Sequence, residues 1–185
     1  MKQIHFLLVL FVFFISCNGQ VKNDNTPTNN DQTKLPKAHT LQAHSQQSKM
    51  ESAIFGIYCG ECGGHCATMI QLQMKDSTVT ADSTDSYFKQ TIITCTIPIK
   101  QKRIIAYAKD IVKHIPASLL TYSQSGATFG CPDCSDGCGI YVELRDSNGK
   151  ARKFYIDTDT SKMDGDIKSF SIYFRGQWDK ISNGN

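Results

Sequence analysis

Two stretches of the chain alternate between apolar and polar positions. Ile70, Leu72 and Met74 fall on one side, against Gln71, Gln73 and Lys75; further on, Ile140, Val142 and Leu144 oppose Tyr141, Glu143 and Arg145. A period of two is the mark of a strand with one buried face. "SAIFGIYC" reads as a strand before the first of these, and "DSTVTADS" as a turn and return strand after it. "SYFKQTIITCTIPI" is apolar and β-branched and reads as a further strand ended by Pro98. "ARKFYID" returns from the second alternating stretch across Asn148-Gly149, a hairpin signal. Two other stretches carry the helical period. Ile104, Ile105, Ala108, Ile111, Val112 and Ile115 make one stripe, stopped by Pro116, with His114 in the last turn facing the negative end of the dipole. Ile167, Phe170, Phe174, Trp178 and Ile181 make the other, with Asp164 and Asp166 near its start and Gly176 within it.

The order strand, strand, helix thus occurs twice. "CGECGGHC" at 59–66 and "CPDCSDGC" at 131–138 share the same cysteine spacing. With Cys59 laid on Cys131, Ile70 falls on Val142 and Leu72 on Leu144, so the match runs on into the strands with the same phase. The pattern predicts an α+β fold: duplicated strand-strand-helix halves, at 52–116 and 127–183, with an antiparallel sheet packed against two helices.

The N-terminus is of another kind. Lys2, an unbroken apolar run from Phe6 to Ile15, and then Ser16 and Cys17 have the layout of a secretory signal, and the run is too short to cross a bilayer as a helix. "FISC" at its end resembles the lipobox of bacterial lipoproteins, with Phe14 where leucine is usual and Ile15 where a smaller residue is commoner. That resemblance implies a signal peptide at 1–16 and lipidation of Cys17 as the first mature residue. Each buried methylene of such a lipid contributes about 0.8 kcal/mol of membrane affinity, so several acyl chains make a lasting anchor. The "NGQ" and Asn-rich stretch after it is similar to cysteine-rich lipoproteins of Bacteroidota-type bacteria, which implies attachment to the cell envelope, most simply the outer membrane, and implies no activity. Residues 17–51 are rich in Asn, Gln, Thr, Ser and Lys, without apolar periodicity. They read as a disordered tether in which His39 and His44 are solvated. The cysteine-rich domain is expected at 52–183.

Composition removes several function classes. The formal charge is +3 and no Lys/Arg run exists, so neither nucleic acid nor an acidic substrate is indicated. There is no glycine-rich phosphate loop, nucleophile elbow or His-Glu-x-x-His. Asp157, Asp159 and Asp164 lack the spacing of a calcium loop and read as turn residues.

Three chemistries compete for the cysteines. Two Cys-x-x-Cys turns, Cys59/Cys62 and Cys131/Cys134, are the spacing of two metal knuckles that would hold one zinc ion, with His65 as a further ligand. In an exported chain the same residues would instead form disulfides, and their connectivity cannot be read from spacing. Thiol-disulfide catalysis is the third reading, weakened because each motif runs into a strand pattern rather than a helix N-terminus. By strand phase Cys66 and Cys138 are expected to point inward, and with Cys17 lipidated the odd thiol is Cys95. The expected function is a non-enzymatic, membrane-tethered module binding structural zinc through its paired turns, or alternatively a disulfide-stapled structural or interaction module. The expected partners are the bilayer, through Cys17, and a protein or small ligand.

Overall fold

A seven-stranded sheet forms the centre of the computed structural model, which describes residues 45, 49–89, 92–132, 134 and 137–183. The segment expected to be a signal peptide, the expected lipidation site Cys17, and His39 and His44 lie outside the described residues. In chain order the strands are β1 (Met50–Cys59), β2 (Ala67–Gln73), β3 (Val79–Ala81), β4 (Ile97–Pro98), β5 (Ala127–Phe129), β6 (Cys138–Asp146) and β7 (Ala151–Asp157). The helices are α1 (Ser86–Lys89), α2 (Lys102–Lys113), α3 (Ala117–Thr121) and α4 (Gly165–Ser182). The sheet order is β4-β3-β2-β1-β6-β7-β5, and every pair is antiparallel except β5 with β7.

β1 sits in the middle because its sequence suits burial on both faces. Ala53 and Phe55 face the helices, while Ile54 and Tyr58 face the other way, and all four are buried. It pairs with β2 on one side and β6 on the other, so it belongs equally to both halves of the chain. The helix-side core joins Phe55, Ile70, Leu72, Val142, Leu144 and Phe154 to the stripes of α2 and α4. Phe174 is its hub. It is fully buried, meets Phe55 edge-on at 6.1 Å and stacks on Trp178 at 5.5 Å. The hydroxyl of Tyr173 donates to Asp110, and the ring of His114 stacks on Tyr173 at 4.1 Å, fastening α2 to α4. His114 caps α2, its backbone N–H donating to the carbonyl of Ile111 at 3.0 Å. Burial and then the bond to Asp110 push the Tyr173 hydroxyl up to about 12.

Three details differ from the sequence reading. "SYFK" is the short helix α1, and only Ile97–Pro98 of the predicted strand pairs. The Ser86 hydroxyl and backbone N–H both donate to Asp82 Oδ2, at 2.7 and 2.6 Å, a local side-chain anchor that competes with extended pairing. β1 starts at Met50, two residues before "SAIFGIYC", and Met50 is buried in the core. The order strand, strand, helix recurs, but the strands leading into the two cysteine turns part company. β1 lies beside the strand that follows its turn, whereas β5 crosses to the sheet edge and runs parallel to β7.

The β6–β7 hairpin turns at the Asn-Gly pair, where Gly149 has a φ of +76° and Asp146 accepts from the backbone of Asn148 and Lys150. Gly139 matters for close approach: a Cβ there would lie 2.5 Å from the ring of Tyr58, which crosses over it.

Removing the hub tests this packing. Phe174→Ala should lower unfolding free energy by about 3–5 kcal/mol in urea, the cost of a large cavity in a fully buried aromatic site; a loss within the range of a surface substitution would contradict the core described.

Candidate functional site

Both cysteine turns lie at the same end of the sheet because β1 leads into the first and β6 leaves the second. Cys59 and Cys138 are directly opposed in the β1–β6 ladder, with Cα atoms 4.1 Å apart, and form a disulfide. Gly60 N–H donates to the Gly137 carbonyl at 3.4 Å, extending the contact between the turns. The other sulfurs pair locally, Cys62 with Cys66 and Cys131 with Cys134. Cys131 is held by its backbone N–H, which donates to Asp157 Oδ2 at 2.7 Å.

The structure places the four sulfurs expected as zinc ligands in separate bonds. Cys59, Cys62, Cys131 and Cys134 are distributed among three disulfides rather than directed at one point, and His65 is an exposed turn residue. The reason is register: the nearest sulfur to Cys59 is its cross-strand neighbour, and the nearest to Cys62 and Cys131 lie within their own turns. A disulfide sulfur is not the thiolate that zinc requires, so binding of the ion by this set calls for the reduced state. Among the described residues no group of three or more His, Cys, Asp or Glu is placed to hold a metal. Cys138 keeps the strand phase of Ile140 and Val142, as expected, but at the sheet end it is half-buried and tied to Cys59. Cys66 precedes its strand and turns back to Cys62 instead of entering the core. The aspartates serve turns: Asp157 accepts from Asp159 N–H as well as from Cys131, and Asp159 caps the 3-10 turn Thr160–Lys162.

Cys95 is the free cysteine among the described residues. It packs beside Ile54, Met69 and Tyr141 on the sheet face away from α2 and α4, and burial pushes its thiol up to about 12, with Asp82 adding to the rise.

That second face also carries a groove absent from the sequence reading. Register places its side chains in rows across the sheet. One row runs Gln73, Ser52, Arg145, Ala151; the next Gln71, Ile54, Glu143, Lys153; the next Met69, Gly56, Tyr141, Tyr155. The segment from α1 to β4 covers the aromatic rows, with Tyr87 stacking on Tyr58 at 4.7 Å and meeting Tyr141 edge-on at 5.4 Å. The first two rows stay open as a cavity of about 540 Å³, walled by Ile92 and the hairpin Gly149. At its floor Glu143 is buried, with 1% exposure. Its Oε2 accepts from the Tyr141 hydroxyl at 2.5 Å and its Oε1 from Arg145 Nε at 2.5 Å. Burial, then the bond to Glu143, holds the Tyr141 hydroxyl well above its ordinary range. Alternation alone puts Glu143 on the polar face of β6; what hid the groove is that its floor comes from four strands distant in sequence.

No protein-family model matches the chain, and neither a curated protein nor a solved structure matches it.

Two outcomes follow from the sulfur geometry. The Cys59–Cys138 disulfide spans 79 residues and the others 4 and 3. Replacing both members by serine should therefore cost about 4–5 kcal/mol for the long link and about 2 kcal/mol for either short one, by loop-closure entropy in the unfolded chain; equal losses in urea unfolding would contradict the cross-strand link. Cys95, its folded thiol protonated well above neutrality, should resist iodoacetamide at neutral pH until denaturant is added; prompt labelling of the native protein would show an accessible thiolate instead.

Proposed function

We propose that the chain is an exported, membrane-tethered, non-enzymatic binding module whose cysteine-rich end is locked by disulfides. The observation that carries this reading is the Cys59–Cys138 bond, which joins the two cysteine turns across adjacent central strands. Disulfides of this kind persist outside the reducing cytosol, and the signal-like N-terminus ending at Cys17 would deliver the chain there and anchor it to the outer membrane. The tether would hold the domain within reach of a soluble or surface partner. Among the described residues no helix is long and apolar enough to cross a membrane.

The zinc reading keeps one observation in its favour: the two turns do meet, through the Gly60–Gly137 contact. Reduction would free six thiols there, among them Cys59, Cys62, Cys131 and Cys134. Thiol-disulfide catalysis is less well served. The Cys131–Cys134 pair is exposed, but it sits in a turn that leads into β6 rather than at the start of a long helix.

Intact mass of the mature protein from its native envelope, with alkylation before and after denaturation and with elemental analysis, separates these readings. The stapled module predicts a mass lower than that of the reduced chain by two hydrogens for each of the three disulfides, a lipid adduct on Cys17, one thiol exposed on denaturation and negligible metal. Four or more thiols with stoichiometric zinc would overturn it in favour of the metal module.

A further inference from the structure

We infer that the groove on the sheet face opposite α2 and α4 is a binding site for a small organic carboxylate; this rests on the binding-module reading and names its ligand class. The floor is rich in hydrogen-bond donors. Glu143 is capped on both oxygens, by the Tyr141 hydroxyl and by Arg145 Nε. Glu143 and Arg145 therefore form an ion pair without net charge, in which the buried acid holds the guanidinium in place. Arg145 is pinned through Nε alone, its side chain 29% exposed, so its remaining N–H groups are presented as an oriented fork at the cavity wall. Lys153 lies directly across the ladder from Glu143 and adds an ammonium group to the same lining. The amides of Gln71 and Gln73 line the β2 side.

The opposing charge is Glu51. It is the residue at the β1 bulge, where the register with β6 shifts, and it is exposed at the rim, where solvent and salt screen it. A ligand resting on the floor therefore meets guanidinium, ammonium and amide N–H donors first, which calls for an acceptor-rich group such as a carboxylate. The fork matches a planar carboxylate in two-point contact. The cavity of about 540 Å³ is larger than an inorganic ion needs and lies in the range of small-molecule sites, so the carboxylate would belong to an organic ligand whose remainder reaches the glutamine amides and Ile92. The whole-chain charge of +3 is small, so the attraction is local to this floor.

The test uses the mature chain with its disulfides intact, followed by amide NMR during separate titrations with glutarate, inorganic phosphate and sucrose. Glutarate should shift the amides of Gln71, Gln73, Arg145 and Lys153 saturably, and more tightly than either other probe. Arg145→Lys keeps the charge but loses the fork, and Lys153→Gln removes a charge at the groove without touching the Tyr141–Glu143 bond. Each should weaken glutarate about tenfold, the factor corresponding to one charged hydrogen bond. If Arg145→Lys unfolds the protein, Lys153→Gln decides. Equal binding of phosphate or sucrose, shifts that never saturate, or glutarate affinity unchanged by Lys153→Gln would overturn the inference. Failure here with three disulfides still present by mass leaves the stapled-module reading standing; loss of the disulfides would strike that reading instead.

Discussion

Everything in this molecule is arranged around the double pairing of β1. One strand from the first half lies between β2 of its own half and β6 of the other. Its two faces then serve two different purposes. Ala53 and Phe55 close the core against α2 and α4, while Ser52, Ile54 and Tyr58 supply the middle of the opposite face. The Cys59–Cys138 bond is the covalent end of the same ladder, where strand register alone brings the sulfurs together. For a small domain, a link that closes so long a loop chiefly restricts the unfolded chain.

The two sheet faces differ in how they are covered. Helices α2 and α4 pack on the side that carries Phe55, Leu72 and Phe154. The other is covered only over its aromatic rows, by a connection anchored through Asp82 and Ser86. The division coincides with a change of residue type along β6, from Tyr141 to Glu143 and Arg145. Burying Glu143 without partners would be costly. Tyr141 and Arg145 remove that cost and leave the guanidinium facing the open rows. A buried acid thus positions an accessible base, a local conflict with simple inside-outside patterning of the sort that concentrates at functional sites.

Much of this architecture could be read from the chain. The period-two phases of β2 and β6, the Asn148-Gly149 hairpin and the stripes of α2 and α4 all report local geometry, and each is found in place. The α1 segment is a helix turn rather than strand because the aromatic and β-branched residues of "SYFKQTIITCTIPI" mark a strand only where a partner edge is available, and Asp82 binds the start of this segment instead. The sulfur partners could not be read. Equal spacing in the two turns implies like roles, yet β1 and β5 carry their turns to different strand neighbours, so the like-numbered cysteines end in unlike bonds. The groove was hidden for a related reason: Gln71, Ser52, Glu143 and Lys153 are neighbours only through registers that no local pattern states.

Disulfide mapping of the unreduced protein bears most directly on this account. Proteolysis under conditions that block exchange should release a peptide containing Cys59 joined to one containing Cys138, split by reduction, with Cys62–Cys66 and Cys131–Cys134 each linked within its own turn. Recovery of Cys59 linked to any other cysteine, or as a free thiol, would contradict the central ladder on which the fold and its groove are built.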